Sequence, residues 1–155
     1  MPAVARTAES NDLAGVLALY RELRPDDPAL APALARDTFA VLLEREDIAL
    51  VVCENDGLLT ATCMLALIPN LASGARPFGV IEHVVTLPAF RRRGHARLAL
   101  EHAMNLAWSR HCCKVVLLSG AQRVEAHRLY ESAGFVGGVE MGFVAKPPGG
   151  GSNAG

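Results

Sequence analysis

Three consecutive arginines, Arg91, Arg92 and Arg93, lead into Gly94, His95 and Ala96 within "LPAFRRRGHARLALEHA", where an apolar helix begins. Cations at a helix N-terminus oppose the macrodipole unless an anion sits there. The first helical amides lack acceptors, and a glycine lets them converge on one ligand. Arginines add charge-assisted hydrogen bonds, and the small Ala96 keeps the first turn open. Such a turn suits a phosphate, and a pyrophosphate would use more of it. The chain has neither Gly-x-x-x-x-Gly-Lys-Ser/Thr nor Gly-x-Gly-x-x-Gly, which sets aside a Walker loop and a dinucleotide fingerprint. The alternative is a solvated basic loop closed by glycine.

Glu82 and His83 interrupt an apolar strand, and Tyr130 lies in "AHRLYESAGF". A carboxylate at that place is either a base or an exposed-face residue; strand alternation sends Glu82 and His83 to opposite faces unless a bulge intervenes. A phenol, with an unperturbed pKa near ~10, keeps its proton at neutral pH and can deliver it to a leaving thiolate. Tyr130 could equally pack with Leu129. His127, one helical turn earlier, is either a site residue or a surface one. Four cysteines and five histidines show no metal-ligand spacing, so reduced buried thiols and no metal are expected.

Behind these residues stands a chain of 155 residues, 51% hydrophobic and 20% charged, with one sizeable core. Mean hydropathy is +0.24, yet no apolar run reaches the ~20 residues that span a bilayer. The start "MPAVARTAESND" lacks a signal-peptide layout, which points to a cytoplasmic protein. Net charge is −1, with one dense basic cluster, which disfavours nucleic acid.

Periodicity predicts a strand over 3–7, a helix capped by Ser10 or Asn11, and a second helix over 33–45. A hairpin follows, turning at Asn55-Asp56-Gly57. Next come a fourth strand over 78–86, a helix over 94–110, a fifth strand from Lys114, and a helix over 122–133 ending at Gly134. A last strand or hairpin is expected over 135–145. Strand four, the third helix and strand five form a βαβ unit, placing the arginine turn where α/β folds bind ligands. Residues 1–146 read as one domain and 147–155 as a disordered Pro/Gly-rich tail.

"IEHVVTLPAFRRRGHARLAL" resembles motif A of the GNAT N-acetyltransferases, with Arg91, Gly94 and Ala96 at its pyrophosphate-loop positions; "AHRLYESAGF" resembles motif B. The resemblance implies an α/β mixed sheet of six to seven strands, flanked by about four helices, with strands four and five splayed. It implies an enzyme that binds acetyl-CoA and transfers acetyl to a primary amine of a small molecule or peptide in a ternary complex. Arg91, Arg92, Arg93, Gly94, His95 and Ala96 would hold the diphosphate, and backbone from Val84, Val85 and Thr86 the pantetheine. A Val84 or Val85 amide would stabilise the oxyanion. Glu82 would be the base and Tyr130 the acid, with His127 beside the cofactor. Many relatives carry asparagine where this chain has Arg123, which leaves one pantetheine contact in doubt. Glu22, Asp26 and Asp27 could attract a cationic acceptor. The competing reading is a catalytically silent acyl-CoA-binding or sensing domain; a homodimer through the C-terminal strands is a further expectation.

Overall fold

The computed structural model describes residues 1–149. Two compact units divide the chain, Met1–Leu117 and the segment from Leu118 onward. The first unit holds β1 (Val4–Thr7), α1 (Leu13–Leu23), α2 (Pro32–Glu44), β2 (Ile48–Asn55), β3 (Leu58–Ile68), the single turn α3 (Ala72–Ala75), β4 (Phe78–Thr86), α4 (His95–Ser109) and β5 (Val115–Leu117). The second contributes α5 (Val124–Ser132).

One mixed sheet runs β1-β2-β3-β4-β5, antiparallel except for the parallel β4–β5 pair. The β2–β3 hairpin turns at Asp56 (φ 50°) and Gly57 (φ 80°). Two successive positive φ values match the right-handed twist of the flanking strands. Val16, Leu19 and Phe39 of α1 and α2 cover one face, packing with Leu50, Val52, Leu59 and Val85. Alternate residues Val51, Cys53, Ala61, Cys63, Leu65 and Ile81 point to the other face, buried beside the alanines of α4. Small Ala99, Ala103 and Ala107 bring that helix close enough for the Cys63 thiol to reach the Ala99 carbonyl, 3.6 Å away. Burial pushes the Cys63 thiol up to about 12. All four cysteines are free thiols, and only Cys113 is partly exposed.

Two expectations change. Among the described residues the sheet has five strands, not six or seven, and 135–145 forms no strand or hairpin. Gly137, Gly138 (φ 75°) and Gly142 interrupt that segment, and glycine weakens strand register. Val136, Val139, Met141 and Phe143 in it are exposed. The cap of α1 also differs. A 3-10 turn, Ser10–Asp12, precedes the helix, with Glu9 as its N-cap and the Asp12 carboxylate accepting the Glu9 amide at 2.7 Å. Of the expected tail, residues 150–155 lie outside the described residues.

Asp12 is drawn into this role by Arg6 of β1. The guanidinium donates to Asp12 Oδ2 (2.7 Å) and Oδ1 (3.1 Å), and to Glu54 Oε2 (2.6 Å), tying the first turn to the sheet edge. Arg6 holds the buried Asp12 carboxyl below its ordinary value of 3.8. A depressed folded-state pKa contributes stability above the unfolded pKa, and that stability is lost as pH falls through the folded one. Asp12→Asn is therefore expected to cost roughly 2 kcal/mol at neutral pH, as for a charged hydrogen-bond pair. The wild-type advantage should shrink as pH falls below the ordinary carboxyl value of 3.8. Urea midpoints across that range check it; a pH-independent difference would remove the ion pair as the cause.

Candidate active site

The β4 strand is paired with β3 on one side throughout, but its register slips between Thr62↔Val85 and Met64↔Glu82. One β3 residue, Cys63, thus faces two of β4, His83 and Val84, which defines a β-bulge. His83 takes a left-handed φ of 56°. For a non-glycine residue that conformation stores on the order of 1 kcal/mol, though histidine tolerates it better than most. On the other side, β4–β5 pairing ends at Ile81↔Leu117, so from Glu82 to Thr86 that edge of β4 has no strand beside it in this unit.

The bulge also settles which way the side chains point. Glu82 lies opposite Met64, which packs on the α1–α2 core, and is exposed. His83 stacks on Tyr20 of α1, ring centroids 5.3 Å apart. Alternation would have separated Glu82 and His83; the extra residue brings both to the α1 side. Val85, one position past the bulge, returns to the α1–α2 core, leaving only its backbone for a ligand. Tyr20 packs partly buried against the α1–α2 core. Burial raises its phenol to about 12, so it stays protonated.

The arginine turn follows at the carboxyl end of β4. Arg92 (φ 62°) and Gly94 (φ 82°) are both left-handed, the backbone alternation that turns amides into an anion-binding concavity. A Cβ on Gly94 would meet nothing within 4 Å, so the glycine serves conformation and leaves the approach open. The first backbone bond of α4 runs from Leu98 N–H to Gly94 O at 3.0 Å. The amides of His95, Ala96 and Arg97 therefore have no helical acceptor. Arg91, Arg92 and Arg93 are exposed. Arg91 donates to Glu22 of α1 at 3.0 Å and points its Nε at Thr86 O, 3.4 Å away. Arg93 lies over the Phe90 ring, 5.6 Å from its centroid.

His95, which the resemblance sets at the diphosphate, has its imidazole buried and only 8% exposed, so the turn presents its amide, not its ring. Acidic residues proposed for an acceptor are also engaged: Glu22 by Arg91, and Asp27 by Arg24 at 2.9 Å.

In the second unit, α5 carries Tyr130, 7% exposed, its ring edge-on to Phe135 at 6.3 Å. His127 Nε2 donates to Gly120 O at 2.9 Å, fixing the loop before the helix. Arg123 stands at the N-cap of α5, and its stem lies over Gly120, whose Cβ would meet Arg123 Cδ at 3.3 Å. Among the described residues no group of three or more His, Cys, Asp or Glu could hold a metal, and no helix is long and apolar enough to cross a membrane.

A mixed sheet whose one parallel pair ends at a β4 bulge, with an anion-ready turn just beyond it, defines the acyl-CoA N-acyltransferase class of fold. The family model described as "Acetyltransferase (GNAT) family" matches residues 16–135, and the chain belongs to that family. A provisionally named acetyltransferase of Agrobacterium tumefaciens str. C58 is 40% identical, with TM-score 0.87 over 92% of this chain and 99% of that one. Two further structures share the fold. Glucosamine-6-phosphate N-acetyltransferase from Arabidopsis thaliana is 21% identical (TM-score 0.83, 95% and 99% covered). Aminoglycoside N-acetyltransferase AAC(6')-Iy, solved in complex with CoA, is 17% identical (TM-score 0.78, 94% and 95% covered). No curated protein sequence matches the chain.

Proposed function

We propose that this acetyltransferase moves the acetyl group of acetyl-CoA onto a primary amine of a small molecule or peptide, by direct attack in a ternary complex within residues 1–146. The observation that carries this reading is the edge of β4 past its bulge, unpaired within the first unit and ending in a turn of converging amides. An extended pantetheine arm can add to an open strand edge through main-chain bonds. The diphosphate then falls at the start of α4, on the amides of Gly94, His95 and Ala96 and the guanidinium groups of Arg91, Arg92 and Arg93.

In the transfer, the amine nitrogen forms a bond to the acetyl carbon and the carbon–sulfur bond breaks. Holding both reactants together supplies much of the rate. A Val84 or Val85 amide, turned by the bulge, would receive the developing oxyanion. Glu82, exposed on the α1 side with His83 and Tyr20, takes the proton of the incoming ammonium, directly or through water. Motif B supports Tyr130 as the acid that protonates the thiolate, with His127 beside it. Thiol release from acetyl-CoA, followed with and without a panel of amines, tests the function. Amine-dependent release is expected; cofactor binding without it would favour a silent acyl-CoA reader.

Glu82→Gln checks the base. Acetyl-CoA affinity should hold while kcat at neutral pH falls about a hundredfold, typical for a lost general base. An unchanged kcat would pass the role to His83 or to solvent.

A further inference from the structure

His95 is the first residue of α4, yet it turns away from solvent into the sheet. Its Nδ1 lies 2.7 Å from Oγ1 of Thr60, a fully buried β3 residue, and the same hydroxyl lies 3.1 Å from the Cys53 carbonyl of β2. Thr60 has one hydroxyl hydrogen. Given to His95, it would leave Oγ1 and the Cys53 oxygen facing each other with no hydrogen between them. Given to Cys53, it satisfies the carbonyl and lets Thr60 accept from Nδ1–H, so both contacts are made. The histidine therefore carries its hydrogen on Nδ1. Phe90 covers the imidazole, ring centroids 5.4 Å apart, and Arg93 lies on Phe90 in turn. The chain of contacts runs Cys53, Thr60, His95, Phe90, Arg93, from the middle of the sheet to the exposed turn.

We propose that His95 is a positioning residue for the anion-binding turn. Its Nδ1–H bond to Thr60 anchors the first turn of α4 to β3, so that the amides and Arg93 meet the diphosphate already in place. A buried apolar side chain could fill the volume but could not fix direction, whereas a hydrogen bond sets both depth and rotation. This rests on the turn being the acetyl-CoA diphosphate site.

Calorimetry of the wild-type protein with acetyl-CoA comes first: no binding there would defeat the functional reading itself. With wild-type binding in hand, Thr60→Val and His95→Leu should each raise Kd and KM for acetyl-CoA by about three- to tenfold, the worth of one lost hydrogen bond. For Thr60→Val, amine KM and kcat should stay near wild type. Thr60→Ser, which keeps the hydroxyl, and His95→Asn, whose side-chain amide can donate from a similar place, should recover most of the affinity. Wild-type Kd in both Thr60→Val and His95→Leu would overturn the proposal, as would equal losses in kcat and cofactor binding. Should either variant fail to fold, nitrogen-15 NMR of wild-type His95 decides: an Nδ1–H imidazole supports the anchor, and an Nε2–H imidazole overturns it.

Discussion

Replacing Arg91 and Arg93 together by alanine is expected to raise the acetyl-CoA KM on the order of thirtyfold, while amine KM and kcat move little. Charge-assisted hydrogen bonds are worth about 1.5–3 kcal/mol each when shielded from water, and exposure brings these two down to about 1 kcal/mol each. Both arginines are exposed beside unpartnered helical amides, so they act on an anion without first losing solvent. The native contacts that the double variant gives up are modest. Arg91 loses an exposed pair to Glu22, in the class worth at most about 1 kcal/mol. Arg93 loses its place over Phe90. A drop in melting temperature therefore cannot account for a KM effect of that size. The backbone amides and Gly94 survive, so binding should weaken without vanishing. Salt should also raise the wild-type KM more steeply than the variant's, since screening acts on the charges removed. Unchanged cofactor affinity would show that the diphosphate lies elsewhere.

Tyr130→Phe is expected to leave acetyl-CoA affinity intact and to lower kcat about a hundredfold, within the range seen when a general acid is removed. Phenylalanine keeps the ring, and with it the edge-on contact to Phe135 and the burial of the side chain. What the substitution removes is the hydroxyl. If Tyr130 serves packing alone, turnover stays at wild-type level and any effect is confined to stability. Pre-steady-state measurement of thiolate release against acetyl transfer locates the loss: a slowed protonation step is expected, and a slowed binding step would reassign the residue.

Much of the first unit was legible because its signals are local. The β4 strand forms over the expected residues, Phe78–Thr86, and α4 begins where Gly94 ends the arginine run. Asp56-Gly57 turns the hairpin because those residues accept positive φ. Local chemistry misled where two readings compete. Ser10 and Asn11 are good caps in isolation, but Arg6 draws Asp12 into that role. The stretch from Phe135 reads as β-rich, yet its glycines leave the strand without a register of its own.

The sequence alone carried the resemblance to the family, since both motifs that bear it, around Arg91–Ala96 and around Tyr130, lie in short spans of chain. Only the tertiary structure decided which side chains stand together. Tyr20 meets His83, Glu22 meets Arg91, and Thr60 meets His95, although 69 residues separate the second pair and 35 the third. The physical reason is the bulge and the burial around it. One additional β4 residue reverses the strand's alternation, and a histidine at a helix mouth turns inward to within 2.7 Å of a buried hydroxyl. Neither effect leaves a local trace in the order of amino acids.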